Sequence, residues 1–362
     1  MTPFVRDPDF TLYVGDVRQS LAEIADESVD CIVTSPPYLG LRDYGIDGQI
    51  GHETTIAEYV ATLVSVFAAA RRVLTEAGTL WLNLGDSYNA YNGGAGPSSA
   101  LSQGQSLARP RLSTGYGLQQ KELKPKDLMM VPARVGIALC DDGWYLRSEI
   151  LWCKPNGMVE SIGDRPTRSS ERIYLLSKSR RYYFGQDDLR QPFADGTADG
   201  YRYAFGGPKA EEAVEQGLRT RPVGSRTLPG LPAEKPRGAD GRLKTTRVEE
   251  GSAHEDYQNA YGRERWPNEG GANIRDWWVV PVEAVADVPH HAIMPREIAR
   301  RCILGGCPPG GTVLDPFLGS GTTALVARGL GRKAIGIELS PEHAQTSAKR
   351  LQQLSLLAES AA

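Results

Sequence analysis

Thr34-Ser35-Pro36-Pro37-Tyr38 closes a mostly apolar run, Val29 to Val33, that predicts a buried strand. Neither Pro36 nor Pro37 offers a backbone N–H, so the strand must stop there. What stands at its end is a stiff turn carrying backbone carbonyls, the Ser35 hydroxyl and the Tyr38 ring. That set suits a flat substrate bearing an amino group: the ring stacks on the plane, while the hydroxyl and a carbonyl accept hydrogen bonds from the amine. An exocyclic amine on a nucleobase is a poor nucleophile, because its lone pair is delocalised into the ring. Acceptors around its N–H bonds favour the pyramidal form, whose lone pair is free to attack. Such preorganised dipoles stabilise a transition state without a strong base.

A second constellation lies near the other end, in Thr312-Val313-Leu314-Asp315-Pro316-Phe317-Leu318-Gly319-Ser320-Gly321-Thr322-Thr323. An apolar strand ends at Asp315, a tight turn follows, and Thr323 to Arg328 reads as helix. Glycines 319 and 321 let a ligand approach the backbone closely, and the helix start supplies unpaired N–H groups. The next strand, Lys333 to Leu339, ends near Glu338, an acid positioned to accept from ribose hydroxyls as in Rossmann-like sheets. The lysine of a phosphate-binding P-loop is missing from Gly-Ser-Gly-Thr-Thr, which favours a zwitterionic nucleoside over a triphosphate. Leu12 to Asp16 is a further short strand ending in an acid; Asp16 also suits the cap of a following helix.

Ser-Pro-Pro-Tyr resembles the [Asp/Asn/Ser]-Pro-Pro-[Tyr/Phe] signature of the amino-methyltransferases of DNA. Asp-Pro-Phe-x-Gly-x-Gly-Thr-Thr resembles the S-adenosylmethionine motif of the same family. The catalytic motif precedes the cofactor motif, an inversion that resembles the circularly permuted beta group. The resemblance implies an α/β fold with a Rossmann-like class I methyltransferase sheet, circularly permuted, with an inserted target-recognition region. It implies catalysis by Ser35, Pro36, Pro37 and Tyr38 on a base flipped out of double-stranded DNA. It implies S-adenosylmethionine held by Asp16, Thr34, Pro295, Asp315, Pro316, Phe317, Gly319, Ser320, Gly321, Thr322, Thr323 and Glu338. Within that set Asp315 faces the methionine amine, Glu338 the ribose and Asp16 the adenine amino group. A homodimer and a separate restriction endonuclease are partners the family allows.

The elements between these motifs divide into a catalytic half (1–185), a target-recognition region (186–275) and a cofactor-binding half (276–362). Ile56 to Leu74 has helical periodicity, ended by Gly78, and Thr79 to Leu84 reads as a strand. Residues 89–117 are rich in Gly, Ser, Pro and Asn and read as a mobile loop, able to close over DNA or to be a plain surface insertion. Lys126 to Cys140 reads as helix, Tyr145 to Cys153 as strand, and Ile173 to Leu176 as a strand with a hairpin through Lys178–Arg181 to Tyr182–Phe184. Helices follow over Arg296 to Leu304, opened by Pro295, and Pro341 to Leu357. The run Trp-x-Lys-Pro-Asn…Asp-Arg-Pro-Thr…Glu-x-Ile-Tyr-Leu-Leu-Ser-Lys, from Trp152 to Lys178, also resembles the family, and its basic side chains, Lys154, Arg165, Arg168 and Arg172 among them, are candidates for phosphate contacts or belong to a charged surface loop. In 186–275, basic residues including Arg219, Arg221 and Lys244 interleave with aromatics, which suits a nucleic-acid surface or a solvated insertion. His290 and His291 are assigned packing or hydrogen-bonding roles.

At 362 residues with a formal net charge of −3, the chain has ample core and no global basic field. DNA contact must rest on local patches. Five cysteines, mostly in apolar strands or helices, suit buried thiols in a reducing cytosol, and no zinc-like spacing calls for a metal. With charges at Arg6, Asp7 and Asp9 and no apolar core, Met1 to Phe10 is not expected to be a signal peptide, and no run approaches ~18 apolar residues, so no membrane span is expected. Ser at the first motif position favours cytosine N4 as the methylated amine, with adenine N6 the alternative. A more distant alternative is a non-catalytic DNA-binding protein on the same fold. An enzyme acting on RNA or protein amides fits less well, since those usually keep the cofactor motif first.

Overall fold

The computed structural model describes residues 2–40, 46, 48–89, 120–157, 160–192, 271–283 and 293–360, with side chains to 352 in the last helix. The chain divides into two units, one formed by Met1–Leu189 with Arg275–Ala362 and the other by Arg190–Ile274.

The first unit is built on one nine-stranded sheet. In chain order its strands are β1 (Val5–Arg6), β2 (Phe10–Val14), β3 (Val29–Thr34), β4 (Leu74–Leu84), β5 (Tyr145–Cys153), β6 (Ser170–Ser177), β7 (Trp277–Val279), β8 (Thr312–Asp315) and β9 (Lys333–Glu338). Their order in space is β1-β2-β9-β8-β3-β4-β6-β5-β7. The run from β2 to β4 is parallel throughout, while β6 is antiparallel to both β4 and β5. Counted from β8 as a first strand and continued through the chain start at β2, the order becomes 3-2-1-4-5, the doubly wound arrangement. The order reverses between β8 and β3. That is the topological switch point, where ligands of open α/β sheets bind outside the strand ends.

The helices are α1 (Val17–Ala22), α2 (Ile56–Val73), α3 (Val131–Asp141), α4 (Arg296–Gly306), α5 (Thr322–Gly329) and α6 (Pro341–Ser360). Leu80, Leu82 and Leu84 of β4 join a buried cluster with residues of α1, α2 and α3. Trp81, between them, points to the other face, against the α4 glycines 305 and 306. A sheet covered on both faces explains why β3 and β4 read as continuous apolar runs rather than alternating ones. α2 opens with a capping box, Thr55 Oγ1 accepting from Glu58 N at 3.1 Å and Glu58 Oε2 from Thr55 N at 2.9 Å.

Three expectations need correction. Gly78 does not end a helix: α2 stops at Val73, and Gly78 lies inside β4. There Val29 pairs with Leu74, yet Cys31 already pairs with Thr79, so the extra residues form an irregularity. The hairpin to Tyr182–Phe184 does not form, because β6 takes both of its partners from β4 and β5. The helix expected from Lys126 begins only at Val131, since Lys126 and Met130 have positive φ (70° and 56°).

Of the second unit, residues 190–192 and 271–274 are described. Gln191 and Ala272 form an antiparallel bridge, with N–H···O bonds of 2.8 and 2.7 Å in the two directions. Residues 90–117, 193–270 and 284–292 lie outside the described residues. With them lie most of the expected loop, Arg219, Arg221 and Lys244, and His290 and His291. Among the described residues no helix is long and apolar enough to cross a membrane.

Packing is tight around Gly306, where α4 meets the sheet. A Cβ there would stand 2.2 Å from Trp81 Nε1, 2.5 Å from Thr79 Oγ1 and 2.7 Å from Cys31 Sγ. Gly306→Ala is therefore expected to lower unfolding free energy by about 1–3 kcal/mol, read from the denaturant midpoint. An unchanged midpoint would show that α4 can shift off the sheet at little cost.

Candidate active site

The carboxyl ends of β2, β9, β8, β3, β4 and β5 and the amino end of β6 share one edge of the sheet, as the strand directions require. A cavity of about 580 Å³ opens there. Its lining includes Asp16 after β2, Ser35 to Tyr38 after β3, Asn83 in β4, Lys154 after β5, Glu171 in β6, Asp315 to Ser320 after β8, and Glu338. The two motifs, 281 positions apart at Thr34 and Asp315, thus meet in one chamber.

On the β8–β9 side, Asp315 is 5% exposed and accepts from Thr34 Oγ1 at 2.6 Å and from Phe317 N at 3.0 Å. Burial pushes its carboxyl up to about 6, against the opposing effect of hydrogen bonds from Thr34, Thr323 and the Phe317 amide. Glu338 Oε2 accepts from Gly319 N at 2.8 Å and Oε1 from Ser340 N at 2.8 Å, so the acid also pins the turn. Gly319 (φ 54°) and Gly321 (φ 83°) both take left-handed backbone. A Cβ on Gly319 would meet nothing nearer than Phe317 O at 3.9 Å, which leaves open space beside the turn. A Cβ on Gly321 would stand 2.9 Å from Ser347 Cβ of α6, so this glycine serves packing.

Asp16 serves as cap and lining together. Its Oδ1 accepts from Arg18 N at 2.8 Å and its Oδ2 pairs with Arg18 Nη2 at 2.6 Å, while the residue lines the cavity. The Arg18 hydrogen bond holds its carboxyl below the ordinary value. Pro316, Phe317, Ser320, Thr322 and Thr323 line the cavity as well, whereas Thr34, Pro295 and Gly321 do not. Thr34 is fully buried and reaches Asp315; Pro295 caps α4 beside the lining residues Ile293 and Met294.

On the β3–β6 side, Ser35 Oγ donates to Tyr38 Oη at 3.1 Å, and Tyr38 Oη donates to Glu171 Oε2 at 2.8 Å. Asn83 Nδ2 donates to both Tyr38 Oη (3.0 Å) and Glu171 Oε2 (2.8 Å). Lys154 Nζ pairs with Glu171 Oε1 and lies 4.4 Å from the centre of the Trp152 ring. Tyr59 Oη donates to Pro37 O at 2.8 Å, bracing the turn from α2. The Tyr38 ring rests against Gly85, where a Cβ would stand 2.5 Å from Cε2. Burial drives the Tyr38 phenol well above its ordinary value, so it stays protonated.

Of the three described arginines put forward for DNA, only Arg168 lines the cavity, and its Nη1 is buried with no hydrogen-bond partner among the described residues. Arg165 pairs with Glu160 at 2.8 Å and lies 3.7 Å from the Tyr88 ring centre. Arg172 pairs with Glu149 at 2.7 Å on the strand surface.

Residues 29–349 match the family model described as DNA methylase, of the N6/N4 type. The chain belongs to the N4/N6 amino-methyltransferases of DNA. The methyltransferase is 36% identical over 341 residues to the type II methyltransferase M.SmaI of Serratia marcescens, covering 94% of this chain and 90% of that one. It is 37% identical over 343 residues to M.Cfr9I of Citrobacter freundii, covering 94% and 87%. Its fold is similar to that of the PvuII DNA methyltransferase, described as cytosine-N4-specific, with TM-score 0.53, 18% identity and coverage of 96% and 88%.

The sequence does not single out Asn83 or Gly85; it offers Glu171 within a family-like run but with no role, and Lys154 as a phosphate contact, whereas the structure pairs Lys154 with Glu171. One signal was available: Asn83 is the polar residue in the apolar strand end Leu80-Trp81-Leu82-Asn83-Leu84. Gly85 yields a direct test. Gly85→Ala forces the Tyr38 ring to move, and displacements of about 1 Å near a reacting centre cost on the order of 10²-fold. Methyl incorporation into DNA is expected to fall at least about tenfold; a wild-type rate would mean the ring position is unimportant.

Proposed function

We propose that this methyltransferase moves a methyl group from S-adenosylmethionine to an exocyclic amine of a base flipped out of duplex DNA, with cytosine N4 favoured over adenine N6. The observation that carries the reading is the meeting of Ser35-Pro36-Pro37-Tyr38 with Asp315 and Glu338 in one cavity. Its volume falls within the roughly 300–1,000 Å³ of small-molecule sites. The donor set fits a zwitterionic nucleoside. Asp315 presents a buried carboxyl for an ammonium group. Glu338 has lone pairs left for ribose hydroxyls after accepting from Gly319 and Ser340. The open space beside Gly319 admits close approach to the backbone.

When bound, S-adenosylmethionine brings an activated methyl group on sulfur. The chain's part is to present acceptors to the amine and to exclude water. Ser35 Oγ and the Pro36 carbonyl accept from the two N–H bonds, which frees the nitrogen lone pair. Tyr38 braces the base plane, and a duplex must open for the amine to arrive. Arg168, with a buried donor unmatched within the described residues, suits a phosphate of the flipped nucleotide. Residues 186–275 form the target-recognition region in this reading, supported by their basic and aromatic composition. The likeness to the two type II relatives supports a modification role beside a separate endonuclease.

Asp315 sets a pH dependence. Its folded value of about 6 lies above the ordinary 3.8, so burying the ionised form costs stability above about pH 6, and this cost fades as the pH falls from 6 toward 4. Cofactor binding runs the opposite way, because an ammonium group needs the ionised carboxyl. Affinity for S-adenosylmethionine is expected to fall about tenfold per pH unit below about 6. Asp315→Asn should flatten that profile and lower affinity at neutral pH by about tenfold to a hundredfold, the worth of about 1.5–3 kcal/mol for a charged hydrogen bond. Titration with labelled cofactor decides; an unchanged profile in the variant would remove Asp315 from the site.

The methylated base is tested separately. Nucleosides from DNA methylated by the enzyme should contain N4-methylcytosine by mass spectrometry. N6-methyladenine in its place would assign the alternative, since Ser and Asp both accept from an amine and the surrounding pocket sets base size.

A further inference from the structure

The network beside Ser35 has a direction. Lys154 occupies one oxygen of the Glu171 carboxylate, and the other, Oε2, faces Tyr38 and Asn83. A carboxylate only accepts hydrogen bonds. Tyr38 has one hydroxyl proton and must therefore spend it on Oε2, 2.8 Å away. Asn83 must turn its amide nitrogen toward the same oxygen, at 2.8 Å, because the reverse orientation would set two oxygens against each other. The Tyr38 oxygen, having donated its proton, accepts from Asn83 at 3.0 Å and from Ser35 at 3.1 Å. Ser35 also has a single proton, now committed to Tyr38. Only lone pairs remain on its oxygen.

We propose that Glu171, held by Lys154, is a positioning residue that fixes the hydroxyl direction of Tyr38 and, through it, of Ser35, so that Ser35 Oγ meets the target amine as an obligatory acceptor. The proposal rests on the reading above that Ser35 faces the amine, and deepens it. A serine hydroxyl left to itself rotates, and it can then present its proton to the amine lone pair it is meant to free. Glu171 removes that choice from a distance of two hydrogen bonds. Its place is built by the sheet: Glu171 pairs with Trp152 across β5 and β6, while Asn83 in β4 stands opposite Ile173.

The test is a double-mutant cycle between Glu171→Gln and Tyr38→Phe. Glu171→Gln keeps the shape but can donate to Tyr38, which then loses its fixed direction. Tyr38→Phe keeps the ring and cuts the chain of hydroxyls. Single-turnover methyl incorporation is measured on long unmethylated phage DNA, which carries every short recognition sequence, with labelled S-adenosylmethionine. Cofactor affinity is titrated on the same preparations. Each single variant should lose about a hundredfold in turnover, the order found for one preorganised hydrogen-bonding group, with cofactor affinity unchanged. The double variant should be no slower than the slower single, because both changes break one chain. Losses that multiply would show that Glu171 acts independently of Tyr38 and overturn the proposal. Should Glu171→Gln not fold, Tyr38→Phe decides alone: wild-type turnover there overturns the proposal, and loss of turnover with intact cofactor binding supports it. A wild-type protein that binds no S-adenosylmethionine would sink the underlying reading, and this proposal with it.

Discussion

The hydrogen bond from Thr34 to Asp315 is the constraint on which the rest of the site depends. It joins the last residue of β3 to the last residue of β8, and the two strands are neighbours at the point where the sheet reverses its winding. One strand delivers the acceptor turn, the other the buried carboxyl. Circular permutation separates them by most of the chain, yet parallel pairing restores them to one edge. Asp16, Asp315 and Glu338 line the cavity because the parallel strands β2, β8 and β9 all end on that side, and Glu171 joins them from the amino end of the antiparallel β6.

The two halves of the cavity solve different electrostatic problems. On the β8 side a carboxyl is buried deeply enough to rise to about 6, so its charged form is costly until a cation arrives. On the β3 side the charge of Glu171 is matched at once by Lys154, and its other oxygen accepts from Tyr38. No residue there needs to act as a strong base. This agrees with a reaction in which acceptors, held rigidly, make an amine more nucleophilic.

Much of this was legible in the sequence because it is local. Ser35-Pro36-Pro37-Tyr38 and the turn from Asp315 to Thr323 are short patterns at strand ends, and β5 was read with its observed limits, Tyr145 and Cys153. Apart from the helix start at Lys126, which positive φ at Lys126 and Met130 delays, what failed was non-local. The stretch after Ser177 looks like a hairpin until β4 is known to claim β6 as its partner. Gly78 looks like a helix stop until the register with β3 shows it inside a strand. The Asn83–Tyr38–Glu171–Lys154 network draws on two strands, β4 and β6, and on the residues just after β3 and β5, and no spacing along the chain encodes their meeting. Asp16 reads from the sequence as a helix cap or a cofactor contact; in the structure it caps α1 and lines the cavity.

The bridge between Gln191 and Ala272 joins the two described ends of the second unit by two reciprocal backbone bonds. Backbone pairing places no demand on side-chain identity at either position, and the cost of closing a loop rises only slowly with its length. A segment that begins and ends at one such pair can be lengthened, shortened or replaced wholesale while its anchor points stay where they are. Length and composition between Gln191 and Ala272 can therefore change without altering the two positions that the chain must bring together.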